Sequence, residues 1–366
     1  MATQIFASMD TRGATAVTIN TAPSFKRLEV KHETSYHYQS SVALGYSLAW
    51  LTPLSTKGQR LLEHRLNVLP KPRFQHESVD AFGNTQHYFE MHKAHSELRV
   101  QSYAIVESGP APDVAALTMP WESQRPKGIG AAIGEPPPWE FIYSTVMAPL
   151  HTNYTEYARA IFTPGRALGE ALLAFNHQLH IDFQYVPGST QVDTPLEQVW
   201  ENRAGVCQDF AHLAIAALRG LGLAVAYVSG YLLTYAREGE KKNVGADASH
   251  AWFAVWANEH GWIHLDPTND KVVGDEHIVL AMGRDYDDTP PVKGVCFGGG
   301  LHHLRVGVTV NDISASISQN AQHQTQQQRQ HIEQEFLQNM GQDIAQEMSQ
   351  QQTQSDLMSA ADDIES

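Results

Sequence analysis

The stretch Arg203-Ala204-Gly205-Val206-Cys207-Gln208-Asp209-Phe210-Ala211-His212 decides how this chain reads. Small residues lead into one of only two cysteines. A helical apolar pattern then follows in Phe210, Leu213, Ala214, Ala217 and Leu218, and Gly220 and Gly222 stop it. A thiol therefore opens a helix, at the positive end of the backbone dipole. Downstream lie Asp247-Ala248-Ser249-His250-Ala251-Trp252 and Trp262-Ile263-His264-Leu265-Asp266-Pro267. They predict two strands, Ser249 to Trp256 and Gly261 to Leu265, joined by the polar turn Asn258-Glu259-His260. An antiparallel pair returns Asp266 to the side of His250, whose ring can reach the helix mouth.

These three residue types make an activated nucleophile. A thiol attacks a carbonyl only as thiolate, and a free cysteine with a pKa of about 8.5 is mostly protonated at neutral pH. A helix start and a histidine that takes the proton both favour the anion. A carboxylate fixes the ring and its tautomer. Taken singly each residue has an ordinary structural role: a small buried hydrophobe, a packed imidazole, an Asp-Pro turn. Their order and neighbours favour the joint reading, with Cys207, His250 and Asp266 as catalytic residues. The oxyanion needs donors; the N–H of Cys207 is one, and Asn202, Gln208 and Trp200 are open choices for a second. Tyr286, with Asp285 and Asp287, either lines the cleft or belongs to a solvated acidic loop. Asp209 suits a helix-start or loop contact better than chemistry, and His264 is open between packing and substrate contact.

Outward from this core, Thr194-Pro195-Leu196-Glu197 predicts a helix start. Tyr154 to Phe162 and Ala167 to His180 have helical spacing, and Ala224 to Leu233 reads as a strand. Arg237 to Asp247 is a charged loop. Toward the N-terminus the period changes to two. Leu28 to Tyr38, Val42 to Leu51, Leu62 to Leu69, Gln86 to Met91 and Leu98 to Val106 read as strands, with turn chemistry at Asp80 to Asn84. Strands without helices predict a small β-sandwich or barrel. The domain plan is a flexible leader (1–24), a β-rich domain (25–110), a Pro/Gly-rich connector (111–145), an α+β domain (146–312) with one more strand at Leu304 to Val310, and a Gln-rich tail (313–366). In the tail Ile332, Phe336, Met340, Ile344 and Met348 recur every fourth residue, so it is helical or disordered and a route to self-association.

Composition bounds the partners. With 25 Lys+Arg against 40 Asp+Glu the net charge is -15, which argues against nucleic acid and an anionic membrane surface. Two cysteines cannot build a disulfide framework, so a reduced, cytoplasmic setting is expected. The first residues lack a signal-peptide pattern, and no apolar run suggests a membrane span. His302-His303 has no paired ligand spacing, and no metal or cofactor is expected. Cys296 reads as an ordinary small residue. Gly298-Gly299-Gly300 lacks a following Lys-Ser/Thr and reads as a close backbone approach near the cleft.

The blocks Gly205-Val206-Cys207-Gln208-Asp209, Ser249-His250-Ala251-Trp252 and Trp262-Ile263-His264-Leu265-Asp266-Pro267-Thr268 resemble the transglutaminase-like superfamily of papain-type cysteine enzymes. The likeness is to bacterial members described as candidate cysteine proteases, and Arg203-Ala204 and Gly283-Arg284-Asp285-Tyr286-Asp287-Asp288 are similar too. The early strands resemble the β-rich region preceding such catalytic domains, so the likeness covers about Phe25 to Val310 and excludes the tail. It implies a papain-like α+β catalytic core after a β-sandwich-like domain. It also implies Cys207 as nucleophile, His250 as general base then acid, and Asp266 as orienting carboxylate. The expected activity is hydrolysis of a peptide or isopeptide amide. The alternatives are acyl transfer to an amine, as in a transglutaminase, and a non-catalytic binding module that keeps the fold.

Overall fold

The structure is a computed structural model that describes residues 25–127, 137–235 and 249–315. The expected leader, the loop Arg237 to Asp247 and the tail's apolar stripe lie outside the described residues. The N-terminal domain is built on β1 (Lys26–Ala49), followed by β2 (Gln59–Leu69), β3 (Phe74–Val79), β4 (Thr85–Met91) and β5 (His95–Ser108). Alternate residues Leu28, Val30, Val100, Ala104 and Val106 turn inward, as the period of two predicts. Two expected strands merge into β1. Its first half pairs with β5, its second with β4, and the register slips between His37 and Val42. The polar run Gln39-Ser40-Ser41, a gap by composition, is the bend at which one strand turns from the first pairing to the second.

The connector carries short 3-10 turns at Val114–Ala116, Trp121–Gln124 and Pro138–Ile142. Then come α1 (Thr152–Ile161), α2 (Leu168–Asp182), β6 (Gln184–Tyr185), α3 (Leu196–Asn202), β7 (Ala204–Gly205) and α4 (Cys207–Gly220). The expected cap at Thr194 is not used. Pro195 occupies that position, and Thr194 Oγ1 instead accepts from the N–H of Gln191 at 2.8 Å. After α4 the chain forms β8 (Val225–Leu232), β9 (Ser249–Trp256), β10 (Trp262–Asp266), β11 (Lys271–Val272) and β12 (His277–Gly283). These five make an antiparallel sheet in the order β11-β10-β9-β8-β12. Val225, Tyr227, Phe253, Val255, Ile263 and Leu265 face the helices, where α2 and α4 complete the core. Trp252, Ala254, Val228 and Ala226 face the other way. With helices on one side of an antiparallel sheet, the domain is α+β, as expected.

The last two strands correct the expected boundary at residue 312. Residues 292–312 do not extend the five-stranded sheet. β13 (Val292–Gly298) and β14 (His302–Asp312) run antiparallel along the second and first halves of β1, completing a seven-stranded sheet. The glycine run between them sits at the bend of β1 rather than near the cleft. Gly298, Gly299 and Gly300 all have positive φ, and a Cβ on Gly298 would stand 2.6 Å from Ser41 O. The two sheets share apolar contacts: Tyr231, Ile278 and Leu280 of the five-stranded sheet join the core of the N-terminal one. No described helix is long and apolar enough to cross a membrane.

Candidate active site

Helix α4 begins at Cys207 because its entry is held by Asp209. The Asp209 Oδ2 atom accepts from the N–H of Val206 at 2.8 Å and from Thr190 Oγ1 at 2.6 Å, so one carboxyl closes the helix start and ties down the preceding loop. Burial pushes this carboxyl upward against the two bonds that favour its charge. Gly205 leaves room for it: a Cβ there would lie 2.7 Å from Asp209 Oδ2. The small residues before the thiol are thus a steric requirement of the helix start. Cys207 is half-buried and packs on the helical core. At the first helical position its N–H has no acceptor within the helix.

The strand pair delivers the other two groups. β9 and β10 pair with Leu265 opposite Phe253, which puts His250 and Asp266 at diagonal positions on one face. His250 Nε2 and Asp266 Oδ2 are 2.7 Å apart, and the Cys207 side chain lies near enough to act on the same ring. With Nε2 given to the carboxylate, Nδ1 is the nitrogen left to serve the thiol. Burial pulls the His250 pKa down, but the bonds to Asp266 and Cys207 and their charges hold it up at about 10. Asp266 has no exposed surface. Burial favours its neutral form, yet hydrogen bonds from His250 and His277 keep it far below the usual carboxylate range. Its Oδ1 accepts from the backbone N–H of Thr268 and Asn269, at 3.1 and 3.2 Å.

Sequence reasoning missed two partners of this carboxylate. Asn269 Nδ2 lies 2.7 Å from Oδ2, and the buried His277 places Nε2 3.2 Å from the same oxygen. Asn269 carries a faint signal, three residues past an Asp-Pro turn; His277 opens a strand that the pattern did not reveal. One donor atom from each of His250, Asp266 and His277 lies within 4.8 Å of the other two, a spacing that also suits a metal. A metal there would have to replace the bond that orients His250.

The other expected residues divide. Gln208 donates to Val192 O at 3.0 Å, so its amide holds a loop. Asn202, exposed at the end of α3, lines a cavity of about 520 Å³ with Tyr185, Arg203 and Phe210. The Trp200 ring packs against Tyr154, Tyr157 and Phe183 under the Arg203 guanidinium, 3.9 Å from its centroid. Tyr286 stands edge-on to Tyr227, and its N–H donates to His212 Nε2 at 3.2 Å. The acids beside it are used locally: Asp285 caps the N–H of Asp287, and Asp288 pairs with Arg284. His264 accepts from the Trp252 indole at 3.1 Å, a packing role. Cys296 is exposed on β13, in the other sheet.

Comparison with known proteins adds ancestry to this geometry. Residues 28–107 match the model of the bacterial transglutaminase-like N-terminal region, and residues 155–267 match that of the transglutaminase-like superfamily. An uncharacterized protein of Mycobacterium tuberculosis is 38% identical over 279 residues, covering 74% of this chain and 88% of that one. A protein-glutamine gamma-glutamyltransferase of Pseudomonas aeruginosa is 30% identical over 141 residues, 34% of this chain and 20% of that enzyme. The crystal structure of a candidate cysteine protease from Cytophaga hutchinsonii shares the fold, with a TM-score of 0.63 over 79% of this chain and 91% of that chain at 19% identity.

Proposed function

The chain belongs to the transglutaminase-like superfamily, and on that premise we propose that it is a cysteine-dependent amide hydrolase working through a thioester on Cys207. One observation carries the reading: His250 stands 2.7 Å from a fully buried carboxylate, and both that carboxylate and the thiol that opens α4 act on its ring to raise its pKa. An imidazolium held there by Asp266 favours an anionic sulfur beside it. Sγ adds to the amide carbonyl carbon, and the carbonyl electrons move to oxygen, facing the N–H of Cys207. The C–N bond then breaks, and the departing nitrogen takes the proton that His250 received from the thiol. In the second half a water oxygen attacks the thioester and its proton passes to His250. The C–S bond breaks, and the sulfur is released for another cycle.

A second reading keeps the same first half and replaces water with a primary amine. The likeness to a protein-glutamine gamma-glutamyltransferase favours it, over a third of the chain. Only 10% of the His250 side chain is exposed, and a site that shields the acyl group from water would help an amine compete.

Alkylation with iodoacetamide, read by mass spectrometry at each cysteine, tests the shared chemistry. Cys296, exposed and remote in sequence, is the reference thiol. Labelling of Cys207 at neutral pH is expected to exceed that of Cys296 and to fall at least tenfold in His250→Ala. Equal labelling of both thiols, unchanged in that variant, would leave only a binding module. A glutamine peptide incubated with and without a primary amine then separates hydrolysis from transfer by product mass.

A further inference from the structure

Asp266 is gripped from two sides, and the grip that the reaction does not use is the more unusual. β8 and β9 stand between β12 and β10 in the sheet, yet the first residue of β12 returns to the end of β10. There His277 Nε2 comes within 3.2 Å of Asp266 Oδ2, the oxygen that also serves His250. The ring is 2% exposed and stands edge-on to Trp252 at 5.4 Å. Its Nδ1 is buried without a hydrogen-bond partner.

That orphan nitrogen separates two explanations. A ring wanted only to pack on Trp252 would be better without a buried polar atom, which costs free energy when unpaired. The cost falls when Nε2 carries the proton and donates to the carboxylate, leaving Nδ1 as a bare lone pair rather than a stranded N–H. The tautomer that suits the burial is therefore the one that holds Oδ2. The backbone supports the same end. The turn before β12 is clamped by the N-terminal domain, with Ser108 Oγ donating to Gly274 O at 3.2 Å and to His277 O at 3.0 Å. A Cβ on Gly274 would lie 2.6 Å from the N of Ala111, so the turn is pressed against the start of the connector.

We propose that His277 is a positioning residue: its Nε2–H holds the Asp266 carboxylate in the orientation that bonds His250. The N-terminal domain thereby gains a mechanical link to the active centre through Ser108. This inference rests on the reading of Cys207, His250 and Asp266 as the reacting set. Without the second histidine, only the local donors set the rotation of the carboxyl: Asn269 Nδ2 on Oδ2 and the N–H groups of Thr268 and Asn269 on Oδ1. Other titratable groups facing the set are Cys207 of α4, His264 of β10 and Tyr227 of β8.

The test is the pH profile of Cys207 alkylation in the full-length wild type, His277→Phe and His277→Gln. Phenylalanine keeps the ring and the contact with Trp252 but loses the donor; glutamine places an N–H near the position of Nε2. His277→Phe is expected to label Cys207 about tenfold more slowly at neutral pH. Its upper limb should move to lower pH, because His250 loses a firmly held partner. His277→Gln should recover most of both while Cys296 labels alike in all three. An unchanged rate and profile in His277→Phe would reduce His277 to packing. So would equal loss in both variants, or a limb displaced to higher pH. If the wild type itself shows no His250-dependent labelling, the catalytic reading fails first, and the two failures are thereby told apart.

Discussion

His32 lies where the N-terminal sheet meets β8, and His250 at the open end of β9; His32 is buried and His250 nearly so, and their surroundings drive them in opposite directions. His32 has only hydroxyl partners, Thr34 Oγ1 at 2.7 Å and Tyr231 at 2.9 Å, and burial lowers its pKa to about 4. His64, between Thr52 and Ser102 in the same domain, is likewise lowered to about 4 by burial, with nearby His87 adding to it. His250 experiences the same burial and is held up at about 10, because a carboxylate and a thiol stand beside it. Burial alone makes a histidine inert, whereas burial against a paired charge makes it a proton carrier. Histidine is polar mortar in one sheet, and in the other it stands where the proposed chemistry needs an acid–base group.

The sharpest way to break this contrast is to remove the charge and keep the shape. Asp266→Asn takes from His250 the partner that sets it apart from His32. Cys207 alkylation at neutral pH should fall on the order of a hundredfold or more, while the folded state persists as judged by circular dichroism. Retained labelling would mean that the carboxylate does not govern the imidazole.

A second prediction concerns the scaffold that carries His250. Gly230 pairs with His250 across β8 and β9, and a Cβ there would lie 2.2 Å from Ile278 O and 2.3 Å from the Trp252 ring. Gly230→Ala should lower stability toward urea by roughly 3 kcal/mol, and no comparable loss is expected from alanine at Gly58, around which a Cβ meets nothing within 4 Å.

The third reads the two regions through pH. For His32 the folded-state pKa lies below the ordinary value, so the stability it permits is full above about pH 6.5 and is lost as pH falls toward 4. For His250 the folded value is raised. Its contribution is full below about pH 6.5 and is lost as pH rises through about 10. Urea titrations across this range should show an acid limb that His32→Leu flattens, by at most about 3 kcal/mol, and an alkaline limb that it leaves alone. An acid limb unaltered in the variant would show that His32 is not what acid attacks.

Much of the candidate site was legible because its signals are local. A small-residue entry into an apolar helix puts Cys207 at a helix start, and two short strands around a polar turn bring His250 and Asp266 together. Asp209 was readable as a cap for the same reason. Less legible were the contacts of residues whose partners come from far along the chain. Trp200 sits near Cys207 in sequence, but Tyr154, Tyr157 and Phe183 claim its ring. Gln208 neighbours the thiol, and Val192 takes its amide.

What the amino-acid order determined by itself is the chemistry on offer and the local elements: a thiol opening a helix, an imidazole and a carboxylate on a strand pair, and β-rich segments ahead of them. What only the tertiary structure decided is which distant strand completes which sheet. β13 and β14 could not be assigned to the edge of β1, nor His277 to Asp266, from any pattern along the chain. The physical reason is that a period of two records that a strand has a buried face, while the backbone hydrogen bonds that select its neighbour are the same for every residue type.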